Sequence, residues 1–235
     1  MMKTIFKKFD KRTIVTLPRV TFPGEIKVIE NEEDAEAAVD FLLSQEILGV
    51  DTETRPSFKK GVAFIVALLQ VSTLDVCYLF RLNKLGLSPS VIRLLTDKKV
   101  PKIGLSWHDD LLQLHKRGEF EPGLFIDIQD ISSDFGILDL SLQKLYANLF
   151  GQKISKSQRL TNWEASELRP AQIVYAATDA WACINLYNEL QRLMETRDYV
   201  FVEPVQPEPV ETAPVAEGAQ AEDNAHDGEV AEANA

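Results

Sequence analysis

The run Ile47-Leu48-Gly49-Val50-Asp51-Thr52-Glu53-Thr54 decides the fold, because an apolar segment leads directly into two acids one residue apart. Continuous apolar runs are typical of strands that are buried on both faces in the middle of a sheet. Side chains alternate along a strand, so Asp51 and Glu53 point to the same face. Two such carboxylates are either a solvated strand end or an oxygen-ligand site, and oxygen ligands favour Mg²⁺ or Mn²⁺.

The segments around this strand predict a three-layer α/β domain with a central mixed β-sheet flanked by helices. We expect an N-terminal extended arm over residues 1–25, the folded domain over 26–200 and a disordered acidic tail over 201–235. The predicted strands are 25–29, 47–53, 62–72, 76–80, 100–104 and 125–127, and the predicted helices are 32–43, 89–95, 106–116, 128–135, 140–149 and 170–195.

The net charge of −11 is unevenly distributed along the 235 residues. Nine of the 36 acids lie from Phe201 onward, where there is no Lys or Arg, so the rest of the chain carries 27 acids against 25 bases. A nearly neutral body is compatible with a phosphate-bearing substrate if its basic groups line one side. The composition therefore does not exclude nucleic acid as a partner.

The two cysteines, Cys77 and Cys183, both lie in apolar runs, which predicts buried, reduced thiols rather than a disulfide or a zinc site. The basic N-terminus lacks the apolar region of a signal peptide, and no run of about 18 apolar residues indicates a membrane helix. We therefore expect a cytoplasmic protein without a membrane partner.

Further carboxylates follow in two predicted helices, Asp109 and Asp110 in the first and Asp179 in the second. Tyr175 and Asp179 are four residues apart, so they lie on one face of the last helix. Aspartate within an apolar helix face is costly to bury, although a lone aspartate in a helix is more often a surface residue.

Together these residues resemble the three motifs of the DEDD 3′–5′ exonuclease superfamily: Asp51-x-Glu53, Asp110 with Leu114 four residues on, and Tyr175-x₃-Asp179. Four further stretches also match: Leu69-Gln70-Val71-Ser72, Lys102-Ile103-Gly104, Asp127-Ile128-Gln129 and Leu140-Ser141-Leu142. The resemblance covers about residues 25–195. A tyrosine four residues before the last aspartate is typical of the tyrosine (DEDDy) branch. The chain is similar to ribonuclease D and to the exonuclease domain of the Werner helicase.

The resemblance implies a ribonuclease H-like domain that removes nucleotides from the 3′ end of DNA or RNA and releases nucleoside 5′-monophosphates. Asp51, Glu53, Asp110 and Asp179 would hold two divalent ions, Mg²⁺ or Mn²⁺, and Tyr175 would orient the attacking water. The alternatives are an RNA 3′-processing nuclease, a catalytically silent nucleic-acid-binding scaffold and a phosphoesterase acting on small nucleotides.

Residues 151–163 are polar and basic, which predicts a mobile loop beside the last helix. Its cations and the cation before the helix are candidates to contact phosphates, and its tryptophan is a candidate to stack on a base. The alternative for each cation is a solvated loop position. The predicted nucleic-acid-binding residues are Lys153, Lys156, Arg159, Trp163 and Arg169.

Only one of the neighbours Asp109 and Asp110 can supply the acid of the second motif. At about 100° per residue, Trp107, Leu111 and Leu114 form one apolar stripe of the helix. Asp110 falls at the edge of that stripe and Asp109 on the opposite side, so the helical wheel favours Asp110.

Overall fold

A computed structural model of the chain describes residues 2–203, and a six-stranded mixed sheet lies at its centre. The strands run in the order β2-β5-β4-β3-β6-β7, which places β3 in the interior as its apolar sequence predicts. The strands are β1 (Lys3–Phe6), β2 (Glu25–Ile29), β3 (Leu48–Thr54), β4 (Val66–Ser72), β5 (Val76–Phe80), β6 (Lys102–Gly104), β7 (Phe125–Asp127) and β8 (Tyr199–Val202).

Helices cover both faces of this sheet, and the predicted three-layer α/β fold is confirmed. Hydrophobic residues of α1, α3 and α4 pack on one face, and those of α5, α6 and α7 pack on the other. The helices are α1 (Glu32–Leu42), α2 (Leu82–Leu85), α3 (Pro89–Thr96), α4 (Trp107–His115), α5 (Ile128–Phe135), α6 (Leu142–Phe150) and α7 (Pro170–Thr196).

Helix α7 lies directly on β3, and a glycine makes this close approach possible. A Cβ at Gly49 would lie 2.1 Å from the carbonyl oxygen of Ala180, a separation that no side chain tolerates. Gly49 and the two acids that follow at positions 51 and 53 share one face of the strand. The packing that requires Gly49 therefore turns both acids of β3 towards α7.

The ends of the folded body differ from the expectation of an extended arm over 1–25 and a tail that begins at 201. Strand β1 pairs in parallel with β8, so that Lys3 lies opposite Tyr199 and Phe6 opposite Val202, and Lys11–Thr16 forms a 3-10 helix. The apolar side chain of Ile5 is fully buried, which explains why this segment pairs rather than wraps loosely. The proposed tail from residue 204 onward lies outside the described residues.

Two smaller differences concern the strand and the loop next to the acids. Strand β4 begins at Val66 rather than at residue 62, and residues 57–63 are exposed. The segment 151–163, predicted as a mobile loop, contacts the body of the domain at both of its ends, since Lys153 forms a β-bridge with Arg19 and Trp163 is fully buried. Among residues 2–203 no helix has the length and apolar character needed to cross a membrane.

Candidate active site

Strand β3 and helix α7 bring three carboxylates together at one edge of the sheet. One ligand atom each from Asp51, Glu53 and Asp179 lies within 4.8 Å of the other two. Asp51 and Glu53 come from alternate positions of β3, and Asp179 comes from the buried face of α7. Residues 128 positions apart in the chain thus converge because α7 crosses the strand that carries the other two acids.

Burial makes this cluster electrostatically unfavourable in the absence of a cation. Burial, followed by the charges of Asp179 and Asp110, raises the pKa of Asp51 well above its usual value. Burial and the charge of Asp51 raise the pKa of Glu53 to about 10, and burial raises the pKa of Asp179 to about 7. The metal-free cluster consequently retains protons at neutral pH.

The donor set fits a hard divalent cation. All three residues offer carboxylate oxygens, the ligands that Mg²⁺ and Mn²⁺ prefer. One oxygen of Asp179, Oδ1, is buried without a hydrogen-bond partner among the described residues. A buried, unpartnered carboxylate oxygen is costly, and a cation would satisfy it.

Asp110 lies beside this cluster, in the first turn of α4. It is bound by Thr52, the residue of β3 that lies between Asp51 and Glu53 in the sequence. The hydroxyl of Thr52 donates a hydrogen bond to Asp110 Oδ1. Asp110 is half-buried, and burial raises its pKa to about 6, whereas Asp109 is exposed. The burial of the two neighbours agrees with the helical-wheel choice of Asp110, although the three-acid cluster itself does not include it.

Tyr175 lies one turn before Asp179 and faces the acids from α7. Burial, and then the charges of Asp179 and Glu53, raise the pKa of its phenol far above the usual value, so the phenol is protonated at neutral pH. A protonated hydroxyl can donate a hydrogen bond but cannot act as a base. Behind it lies Trp163, whose ring centroid is 6.0 Å from that of Tyr175.

A cleft of about 300 Å³ opens beside the acids, a size at the lower end of the range for small-molecule sites. Asp51, Asp179 and Tyr175 line it, and Lys156 and Arg159 contribute positive charge. The remaining lining residues include both apolar and polar side chains: Leu105, Ser106, Gln129, Leu140, Ser141, Leu142, Gln143, Ile154, Ser155 and Cys183.

The five predicted nucleic-acid-binding residues take different positions. Lys156 and Arg159 are exposed and line the cleft, and their charges oppose the rise in the pKa of Asp179 and of Glu53, respectively. The amino group of Lys153 instead donates a hydrogen bond to the carbonyl of Val15. Of the four predicted phosphate-binding cations, Lys156 and Arg159 are therefore the ones that line the cleft beside the acids.

One of the five predictions is wrong, that for Trp163, and two others, those for Lys153 and Arg169, concern residues that do not line the cleft and stay predictions. Arg169 is exposed, but it lies at the N-terminus of α7, where its guanidinium donates to Gln158 at 3.1 Å. Trp163 is fully buried in the core, so the expectation that it stacks on a base is wrong. An indole within a polar, basic segment looks exposed in the sequence, but here it fills the space behind Tyr175.

The sequence analysis did not identify Thr52 or the polar lining of the cleft. Thr52 lies between the two acids of β3 in the sequence, and this position is the signal from which its contact with the site could have been predicted. Gln129 and Ser141 lie in stretches that resemble the family, but no role was predicted for either side chain, and Gln143 and Ser155 lie outside those stretches. Only the fold brings the four residues to one cleft.

Residues 26–195 match the sequence model described as 3'-5' exonuclease. The mouse bifunctional 3'-5' exonuclease/ATP-dependent helicase WRN is 28% identical over 190 residues, covering 77% of this chain and 14% of that protein. A 3'-5' exonuclease of Arabidopsis thaliana is 31% identical over 187 residues, covering 72% of this chain and 58% of that protein. The chain thus spans less than two thirds of the length of each of these relatives.

Solved structures show the same fold. The Nibbler EXO domain of Aedes aegypti superposes with a TM-score of 0.67 at 20% identity, covering 75% of this chain and 93% of that one. Escherichia coli RNase D, an exoribonuclease involved in structured RNA processing, gives a TM-score of 0.63 at 19% identity, covering 74% and 50%.

Fold and site together define a ribonuclease H-like α/β domain with a buried acid cluster at the edge of its central sheet. The chain belongs to the 3'-5' exonuclease family, whose sequence model matches 170 of its residues. The resemblance to the DEDD superfamily is thereby confirmed.

Proposed function

We propose that this protein is a metal-dependent exonuclease that removes nucleoside 5′-monophosphates from a free 3′ end of DNA or RNA. The observation that carries the proposal is the buried carboxylate cluster of β3 and α7, which opens into a cleft lined by Lys156 and Arg159. Acids alone would repel a phosphodiester, and the raised pKa values show that they also repel one another. A cation-loaded cluster beside two basic residues accommodates a phosphate.

In this proposal Asp51, Glu53, Asp110 and Asp179 hold two divalent ions, Mg²⁺ or Mn²⁺. A two-metal site supplies an activated water and stabilises the charge on the leaving oxygen of a phosphodiester. The oxygen-only donor set and the orphaned Oδ1 of Asp179 support this assignment. The bond between Thr52 and Asp110 fixes one oxygen of that acid, so the other oxygen is available for an ion.

The remaining residues bind and orient the substrate. The protonated phenol of Tyr175 donates a hydrogen bond to the attacking water beside Asp179. Lys156 and Arg159, which line the cleft, bind phosphate oxygens, and the apolar and amide groups of the cleft surround the terminal nucleotide. The cleft volume of about 300 Å³ supports a site for one nucleotide rather than for a continuous strand.

Substitution of single acids tests the site. Asp51→Asn and Asp179→Asn should each abolish mononucleotide release and weaken Mn²⁺ binding measured by titration calorimetry. Their melting temperatures in EDTA should equal or exceed that of the wild type, because each removes one member of a repelling cluster. Glu36→Gln, a change of an exposed acid on α1, serves as the control. Lower melting temperatures for the two cluster variants would assign the acids a structural role.

A further inference from the structure

An N-terminal strap, defined here as residues 3–22, lies outside the part of the chain that matches the exonuclease family. It holds two chain segments that line the cleft. We name these the first rim, residues 138–143, and the second rim, residues 153–156. Neither rim carries a carboxylate of the proposed metal site.

The strap contacts the first rim through the backbone groups of Lys7 and Phe9. The backbone N–H of Leu138 donates to the carbonyl of Lys7 at 2.8 Å. The N–H of Phe9 donates to Asp139 Oδ2 at 2.6 Å, and the other oxygen of Asp139 pairs with Lys144 at 2.7 Å. Asp139 is only 3% exposed, so this carboxylate is a buried junction between strap and rim. The next residues of the rim, 140–143, line the cleft.

Asn148 of α6 fixes the same part of the strap. Its side-chain oxygen accepts a hydrogen bond from the N–H of Phe6 at 3.0 Å, and its amide donates to the carbonyl of Phe6 at 2.7 Å. This pair of bonds imitates the pairing of a neighbouring strand. Since Asn148 is 7% exposed, the loss of either partner would leave a buried polar group unsatisfied.

The strap contacts the second rim by a parallel bridge. The N–H of Lys153 donates to the carbonyl of Pro18 at 2.9 Å, and the N–H of Val20 donates to the carbonyl of Lys153 at 3.1 Å. The three residues that follow, 154–156, line the cleft and include the cation Lys156. One continuous segment therefore holds both rims, with residues 6–9 at the first and residues 18–20 at the second.

We propose that the strap is a positioning element that fixes the spacing of the two rims and thereby pre-forms the cleft for the 3′-terminal nucleotide. This inference rests on the proposed function for the identity of the occupant. Within the described residues 2–203, residues 6–9 make no hydrogen bond to β3 or α7, the two elements that carry the acid cluster; they bond to α6, to β8 and to the first rim. Loosening this part of the strap should weaken substrate binding and leave the chemistry intact.

The positioning residues Asp139 and Asn148 allow a direct test. Asp139→Ala and Asn148→Ala each release residues 6–9 from one partner. The matched control is Lys3→Ala, which removes the ion pair of the strap with Glu189 but no bond to either rim. Hydrogen exchange of residues 138–156 and melting temperature report whether the rims loosen while the domain remains folded.

The affinity for single-stranded nucleic acid is measured with a fluorescein-labelled 12-nucleotide strand, once as DNA and once as RNA. All proteins in this measurement carry Asp179→Asn, which prevents turnover. We expect both rim variants to bind the strand about tenfold more weakly, because the substrate must now order the rims that the hydrogen bonds held. In the active background KM should rise by about the same factor, and kcat should stay within about twofold of the wild type. Lys3→Ala should match the wild type in all three quantities.

Two outcomes would overturn the proposal. If exchange of residues 138–156 increases but strand affinity and KM are unchanged, the strap is structural only. If kcat and Mn²⁺ affinity fall instead of strand affinity, the strap supports the acids rather than the rims. Absence of 3′ trimming by the wild type would refute the proposed function alone, because the binding measurement does not depend on turnover.

Discussion

Raising the pH should destabilise the metal-free protein through Glu53. Burial and the neighbouring acids raise the pKa of this residue from 4.5 to about 10 in the folded state. Between these values the folded protein holds a proton that the unfolded chain releases, so the contribution of Glu53 to stability falls as pH rises. At about 1.36 kcal/mol per pH unit, the change from pH 5 to pH 8 amounts to about 4 kcal/mol.

The assay is urea unfolding in EDTA at pH 5, 6, 7 and 8, for the wild type and for Glu53→Gln. The variant keeps the side-chain size but cannot titrate, so its free energy of unfolding should depend less on pH, by up to about 4 kcal/mol over this range. Saturating Mg²⁺ should also reduce the dependence for the wild type, since the ion replaces the proton. Equal pH dependence of the two proteins in EDTA would refute the reasoning.

Three further predictions concern single positions, and a fourth concerns the acidic segment. At saturating Mg²⁺, Asp110→Asn should be nearly inactive and Asp109→Asn should have close to wild-type activity. The reverse order of activities would identify the exposed Asp109 as the metal ligand. Tyr175→Phe should lower kcat about 100-fold with strand affinity unchanged, and weaker strand binding would assign the phenol to the substrate instead. Trp163→Ala should lower the free energy of unfolding by about 3–5 kcal/mol in urea titrations, because the indole is fully buried; a loss of strand affinity without a loss of stability would contradict this. Deletion of residues 204–235 should leave kcat and melting temperature nearly unchanged, and strongly faster degradation would identify the acidic segment as a competitor for the basic residues.

Local sequence patterns were sufficient for the centre of the fold. The apolar run into Asp51 predicted an interior strand, and β3 lies in the interior of the sheet. The helix predicted over 32–43 corresponds to α1, whose N-terminus is capped by Asn31, since its side chain accepts a hydrogen bond from the N–H of Asp34 at 2.9 Å. The helical period also placed Asp110 nearer the buried side of α4 than Asp109. These features depend on residues within a few positions of one another.

Long-range pairing could not be predicted in the same way. Strand β1 pairs with β8, which lies at the opposite end of the described sequence, and no local pattern specifies a partner so far away in the chain. The burial of Trp163 depends on α7 and Tyr175 rather than on the polar residues that surround it in the chain. The cleft likewise combines α5, the two rims and α7, so its lining emerges only from the fold.

Degradation of end-labelled strands tests the central claim most directly. A 5′-labelled single strand of DNA or RNA, a 3′-labelled copy and a ligated circle of the same sequence are incubated with the protein in Mg²⁺, in Mn²⁺ and in EDTA. We predict a descending ladder from the 5′-labelled strand and immediate release of labelled mononucleotide from the 3′-labelled copy. The circle should remain intact, and EDTA should abolish all degradation. Cleavage of the circle, or degradation that persists in EDTA, would contradict a metal-dependent exonuclease acting at the 3′ end.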